Sequence, residues 1–495
     1  MCAEYQNDEK QKPIVRVRGG LLEGFQENGV FKFYGVPYAR PPVGKWRWRP
    51  PQPLEPWQGR RKADRFGPIA YQMRPPDPSG DERMMVQSED CLYLNIWTPS
   101  ISAAGKMLVM VWIHGGGYMV GSGSKGDCDG TVLAKNGVVL VSFNYRLGPL
   151  GNLALAGLEA ESEYGSSGNY GILDQIAALQ WIKNNISSFD GDGDNITIFG
   201  VSAGAMNVSL LCSSPKARGL FSKAICESGG LLGPPRERPY QEALQDGLEL
   251  QKALGAAGVE EMRSIRPEKL MEAARVLAGK DEQPMKLRFA PALDDIIIKD
   301  QDKTLREKSR IPMIIGSNKD EATYFIPMMP PITLDNYAPF VHKSFGNKAS
   351  RVLASFPAGT NEEALKNFIY LHTCNLFTVL VYELAVALSR LGGEVYVYRF
   401  NRLSPKNLAS GIGVSHGEEV PYIFGHVDTE GYTGKDRELS EAMMKYWVQF
   451  CKTGNPNGAG LPHWPIFSTE LNTYLSLDDD ISTKNYADDT WFNIL

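Results

Sequence analysis

The chain has 495 residues, 43% apolar and 22% charged, with 57 acidic against 52 basic side chains and a formal net charge of −5. This is the composition of a globular protein with ample material for a core. Its slight acidity leaves no basic footprint for nucleic acid or an anionic membrane surface, so a small neutral or cationic molecule is the better partner. The seven cysteines, Cys2, Cys91, Cys128, Cys212, Cys226, Cys374 and Cys451, contain no CxxC pair. That argues against a zinc ribbon, a redox dithiol or a dense disulfide framework, and predicts reduced thiols.

Residues 1–12 form a polar, charged tail without the apolar core of a signal peptide, and no run of 18 apolar residues follows that would span a bilayer. Read this way, the chain is expected in the cytoplasm; a chain trimmed of a leader would read the same. Residues 13–495 show no repeat or low-complexity tract and are expected to form one domain. Pro/Gly-rich stretches at 75–80, 229–239, 326–331 and 454–462 are too short to be linkers and read as surface loops. Nearly continuous apolar runs at 107–113, 138–143, 196–199, 311–315 and 395–400 suit parallel strands buried on both faces. Helical patterns at 173–186, 203–212, 241–254, 267–277, 376–391 and 439–451 separate them, which predicts an α/β fold: a large, mostly parallel sheet flanked by helices. In such a sheet the chemistry belongs on loops at the carboxyl ends of the strands.

Two of those strand ends carry candidate chemistry. Residues 196–199 run into Gly200-Val201-Ser202-Ala203-Gly204, a candidate nucleophile elbow. A strand turning sharply into a helix needs small flanking residues, lifts the serine hydroxyl above the sheet, and aims the Ala203 amide where an acyl oxyanion would form. The run 107–113 ends in His114-Gly115-Gly116-Gly117-Tyr118, whose glycines expose backbone N–H groups as an oxyanion hole requires. A phosphate loop is the alternative, but no GK[ST] follows and the spacing is not GxGxxG.

A serine nucleophile needs a base. His114 is bound up with the glycine loop, while His342, His372 and His463 have helix-like or proline-rich neighbours and read as structural or surface histidines. His416, in Ser415-His416-Gly417-Glu418-Glu419, follows the strand 395–400 at the right end of the sheet. The imidazole in turn needs a carboxylate, and the strand 311–315 opens into Gly316-Ser317-Asn318-Lys319-Asp320-Glu321. Either Asp320 or Glu321 serves on these grounds. The order serine, acid, histidine is that of α/β-hydrolases.

These residues resemble the type-B carboxylesterases, the cholinesterase-like branch of the α/β-hydrolase fold, from about Val15 to Phe467. The stretch from Gly35 to Gly44 (GVPYARPPVG) is similar to the family's opening signature, that from Ser88 to Trp97 (SEDCLYLNIW) to its second, and Asn144-Tyr145-Arg146-Leu147-Gly148 to its core strand end. The resemblance implies Ser202 as nucleophile, Glu321 rather than Asp320 as acid, His416 as base, the amides of Gly116, Gly117 and Ala203 as oxyanion hole, and Ser228 as a serine supporting the acid. It also implies structural ion pairs Arg47–Glu89 and Arg146–Asp174, and needs neither metal nor cofactor.

The departures bear on specificity. Val201 stands where the family usually has Glu, and Asp81 lies in a Trp-free stretch where cholinesterases carry the tryptophan that cradles a quaternary ammonium, so a choline ester is not expected. Ala70 replaces the cysteine that would pair with Cys91. Asp190 stands where the family prefers Gly or Arg. Asp190-Gly191-Asp192-Gly193-Asp194 resembles a calcium loop, but its twelfth position is Val201 rather than Glu, so a turn is expected. The expected activity is hydrolysis of a small-molecule carboxylic ester through an acyl-enzyme. The alternatives are acyl transfer or lactone chemistry on the same triad, and a non-catalytic scaffold, against which the intact triad speaks. Val201, Tyr118, Phe289, Tyr324, Phe325, Met328 and Met329 are candidates for the substrate pocket or for core.

Overall fold

The five apolar runs lie in one sheet, with a strand over 223–227 between the third and the fourth. The computed structural model describes residues 12–72, 86–104, 106–124, 126–230, 238–280, 287–299, 311–492 and 494. Asp81, the segment 75–80, the tail 1–11 and residues 231–237 lie outside the described residues. In chain order the strands are β1 (Ile14–Val17), β2 (Gly20–Glu23), β3 (Phe25–Glu27), β4 (Val30–Pro37), β5 (Arg60–Lys62), β6 (Tyr93–Thr98), β7 (Met107–Ile113), β8 (Val138–Phe143), β9 (Gly191–Val201), β10 (Lys223–Glu227), β11 (Met313–Asn318), β12 (Val395–Phe400), β13 (Thr473–Leu477) and β14 (Ser482–Asn485). Among the described residues, eleven of them form the order β14-β13-β12-β11-β10-β9-β7-β8-β6-β4-β3, and β1, β2 and β5 form a small second sheet. Pairing is parallel from β13 to β8 and antiparallel at both margins.

Continuous apolarity in these strands has a simple cause: alternate side chains enter different, equally dry layers. Val109, Val111 and Ile113 of β7, Val139 and Val141 of β8, and Val395 and Val397 of β12 join one core. Met110 and Trp112, Val138 and Leu140, and Tyr396, Tyr398 and Phe400 join the other. A third cluster, mostly helical, includes Tyr337, Val341, Phe345, Ala364, Phe368 and Leu371 and is separate from these two.

Strands 107–113, 138–143 and 395–400 have the expected limits. Two others differ. β9 starts at Gly191, because Gly191 pairs with Met107 although the intervening residues are polar, and the expected turn at 190–194 shrinks to Asp190 in left-handed conformation (φ 66°). β11 runs Met313–Asn318 rather than 311–315, since Gly316, Ser317 and Asn318 continue the parallel register with Tyr398, Arg399 and Phe400. The expected helices are present as Tyr170–Asn185, Ala203–Ser213, Tyr240–Leu254, Pro267–Ala278, Val379–Arg390 and Gly434–Thr453. The run from Asn361 to Arg390 is long and apolar enough to cross a membrane, but 61% of its most apolar window is buried inside the protein.

Both expected ion pairs form. Arg47 grips Glu89 through Nε and Nη2, and Arg146 grips Asp174 at 2.8 and 2.7 Å with side chains 4% and 0% exposed. Cys91 is a buried free thiol, its pKa pushed well up by burial, and it lines one small cavity with Ala70.

Candidate active site

The parallel register brings the ends of β7, β9, β10, β11 and β12 together: Ile113 is beside Gly200, Val201 beside Glu227, Glu227 beside Gly316, and Gly316 beside Tyr398. Ser202 stands between β9 and the helix Ala203–Ser213 with φ 59° and ψ −125°, a strained backbone for a residue with a Cβ. The strain is held by neighbours. The Ser202 amide donates to Glu227 O at 2.9 Å, and Ser202 O accepts from the Met206 amide at 2.9 Å. The flanking glycines are required by space: a Cβ on Gly200 or Gly204 would lie 2.3 or 2.0 Å from Ile113 O. This is the geometry expected of an elbow.

The glycine loop lies directly against the serine, for a Cβ on Gly115 would come within 3.1 Å of Ser202 Cβ. Gly116 has φ 111° and Gly117 φ 60°, and Gly116 O accepts the amides of Met119 and Val120, which turns the loop. Among the described residues the amides of Gly116 and Gly117 meet no protein acceptor. Ala203 opens its helix, where a first-turn amide has no intrahelical carbonyl. His114 does not reach outward: its ring stacks on Tyr145 at 4.3 Å, and Tyr145 Oη donates to His114 O at 2.8 Å.

Across the site, His416 Nδ1 and Glu321 Oε2 are 2.5 Å apart, and the other Glu321 oxygen accepts the Asn318 amide at 2.7 Å. Glu321 is fully buried. Asp320 is occupied elsewhere, since its Oδ2 accepts the Val414 amide at 3.0 Å and ties the acid loop to the segment before His416. A buried carboxylate on Nδ1 holds the imidazole in the tautomer whose Nε2 can accept a proton, and stabilises the cation once it has done so.

Four further buried side chains, Ser228, Asn318, Glu419 and Glu227, belong to the same surroundings. Ser228, expected to support the acid, donates its hydroxyl to Glu419 Oε1 at 3.0 Å rather than to Glu321, whose oxygens already serve Asn318 and His416. Asn318 Nδ2 donates to Glu419 Oε2 and to Ser415 O. Burial, with the Glu321 charge next to it, lifts the Glu419 carboxyl to about 7. Glu227 is likewise fully buried; burial and then Glu419 raise it well above the usual carboxylate range, against a hydrogen bond of 2.9 Å from Trp447 Nε1. The two sides of the site meet here, because a Cβ on Gly229, the residue after Ser228, would sit 2.6 Å from Ser202 O. Motif reading assigns no role to Glu419 or Glu227, although a carboxylate directly after the apolar residues Ala224, Ile225 and Cys226 is a legible signal.

The pocket candidates divide. Tyr324, half exposed, and Phe325 place their rings 5.7 and 5.4 Å from the His416 ring. Tyr118 is buried against Ala203 and Ala290, with φ 62°, and Val201 is half-buried against the second core. Phe289 is buried in the main core, Met329 packs on the helical cluster, and Met328 is exposed. Among the described residues no cluster of His, Cys, Asp and Glu is suited to a metal ion.

A strained serine between a parallel strand and a helix, beside a glycine loop, together with a carboxylate-bound histidine on the chain that follows β12, is the residue set of a serine hydrolase of α/β-hydrolase fold. The profile of the carboxylesterase family matches residues 11–493, and the chain belongs to that family. It is 35% identical to the para-nitrobenzyl esterase of Bacillus subtilis (strain 168), over 95% of this chain and 96% of the relative. It is also 35% identical to the fumonisin B1 esterase of Sphingopyxis macrogoltabida, over 92% of this chain and 85% of that protein. The solved structure of a thermophilic PNB esterase superposes with a TM-score of 0.85 at 34% identity, covering 98% of this chain and 99% of the other. The protein is a serine carboxylesterase, and the esterase names of these relatives favour hydrolysis over the acyl-transfer and scaffold alternatives.

Proposed function

We propose that Ser202, His416 and Glu321 hydrolyse esters of uncharged alcohols, with the amides of Gly116, Gly117 and Ala203 as the oxyanion hole. The observation that carries this reading is the 2.5 Å contact between His416 Nδ1 and Glu321 Oε2 across the strand ends from the elbow. In the first half-reaction the Ser202 hydroxyl oxygen bonds to the ester carbonyl carbon while its proton passes to His416 Nε2. The carbonyl oxygen takes the negative charge beneath the three amides, each such donor contributing about 3 kcal/mol to the transition state. The tetrahedral species collapses, the C–O bond to the alcohol breaks, and His416 returns its proton to the leaving alkoxide. Water then attacks the acyl-enzyme by the same route and releases the acid.

Val201 supports the choice of uncharged alcohols. A valine before the nucleophile offers no anion to a cationic substrate, and the rings of Tyr324 and Phe325 beside His416 form an apolar wall. The test is turnover of p-nitrophenyl acetate and butyrate by Ser202→Ala, with mass analysis of the parent after an aryl organophosphonate. Loss of turnover by several orders of magnitude in a folded variant, and one adduct on Ser202, are expected. An adduct elsewhere, or undiminished turnover, overturns the assignment.

A further inference from the structure

The helical run from Asn361 to Arg390 is broken by a π turn over Cys374–Thr378, between the helices Asn361–Thr373 and Val379–Arg390. A π turn holds one residue more than an α turn, so it rotates the following helix by about 100° relative to an uninterrupted one. That rotation is used. The first half packs Ala364, Phe368 and Leu371 into the third cluster, and the second packs Val381, Leu384, Ala385 and Leu388 into the main core. The turn lies where the run passes from one core to the other.

It also touches the active site. Phe377, within the turn and 5% exposed, stacks on Phe325 at 6.0 Å and 14° and places its ring 5.1 Å from that of His416. Thr373, the residue before the turn, is fully buried, and its hydroxyl accepts the Ala322 amide at 3.1 Å, directly after Glu321. Phe325, Tyr324 and Phe377 thus wall the imidazole, Glu321 holds its Nδ1, and one helical element braces both the base and the acid loop.

We infer that the π turn is the positioning element of the catalytic pair, with Phe377 setting the plane of the His416 ring and Thr373 setting the loop that presents Glu321. A hydrogen bond at Nδ1 restrains one edge of an imidazole; an aromatic wall restrains its tilt and keeps water from the ring. The inference rests on the reading of His416 and Glu321 as base and acid, and deepens it by naming what orients them.

The test uses the full chain with p-nitrophenyl butyrate as substrate and the variants Phe377→Ala, Phe377→Leu, Thr373→Val, Thr373→Ser and His416→Ala. Phe377→Ala is expected to lower kcat about tenfold or more with KM nearly unchanged, because orientation rather than ground-state binding is lost. Water admitted beside the ring favours the imidazolium, so the acidic limb of the kcat/KM profile should move to higher pH. Phe377→Leu should fall between parent and Ala. Thr373→Val should lower kcat severalfold, and Thr373→Ser should restore it. A merely structural role would reduce the fraction of active sites titrated by an organophosphonate and leave the limb where it was, which overturns the inference. So would kcat within about twofold of the parent for both Phe377→Leu and Thr373→Val. If Phe377→Ala fails to fold, Phe377→Leu, closer to the parent in volume, decides the same question. Retained turnover in His416→Ala would sink the triad itself; an inactive His416→Ala beside unaltered Phe377 and Thr373 variants would sink this inference alone.

Discussion

Replacing Glu321 with glutamine keeps the shape of the side chain and removes one charge. Its Oε1 can still accept the Asn318 amide, now at 2.7 Å, so the loop should stay in place. What is lost is the anion 2.5 Å from His416 Nδ1, which the proposed mechanism needs when the imidazole takes the serine proton. Two unit charges about 4 Å apart at an effective dielectric of about 20 attract by about 4 kcal/mol, which corresponds to a loss of about a thousandfold in kcat. A glutamine amide that turns its NH₂ toward Nδ1 would add to the damage by forcing the proton onto Nε2, where the base must be empty. The assay is kcat for p-nitrophenyl butyrate near neutral pH, corrected for active sites by organophosphonate titration, with a thermal melt to show that the fold survives. Asp320→Asn is the matched control: its remaining amide oxygen can keep the Val414 amide now held at 3.0 Å, and its turnover should stay within about tenfold of the parent. Glu321→Gln as active as the parent, or Asp320→Asn more damaged than Glu321→Gln, would refute the reasoning.

Glu419, raised to about 7 against an ordinary 4.5, binds its proton more tightly folded than unfolded. Its contribution to stability is therefore full below about 4.5 and is lost as pH rises through about 7, so Glu419→Gln should flatten the fall of Tm across that window; an unchanged slope would remove Glu419 as its source. The two loop glycines should separate. Gly117→Ala meets no atom closer than 3.7 Å and bears only the cost of φ 60°, about 1–2 kcal/mol, whereas Gly116→Ala places a Cβ 2.1 Å from Val120 O and should abolish turnover; equal Tm and activity in the two would refute this. Asp174→Asn leaves the Arg146 guanidinium, 4% exposed, without its counter-ion and should destabilise by about 3–5 kcal/mol in a denaturant melt, while loss below about 1 kcal/mol would show the pair to be dispensable.

Much of the catalytic apparatus is local enough to be read from the chain. The elbow is five consecutive residues, and its glycines are demanded by Ile113 O, which any strand paired in that register would present. The glycine loop is another contiguous stretch, and continuous apolarity in β7, β8 and β12 follows from burial on two faces whatever the neighbouring strands are. Polar stretches are harder to read. The first residues of β9 and the last of β11 are held by backbone pairing, which side-chain pattern does not report.

Composition and order therefore determined that this chain builds a mostly parallel sheet with a serine and a ring of exposed amides at its strand ends. Position along the chain leaves Asp320 and Glu321 level and the family resemblance implies Glu321; the tertiary structure puts Glu321 on the imidazole of His416, 95 residues away in sequence. It also decided that Glu419 and Glu227 share one dry interior and that a π turn carries Phe377 to the histidine. The reason is physical: a side chain's conformational preference is set within a few residues of it, whereas its charge and contacts are set by whatever the fold brings into the surrounding space.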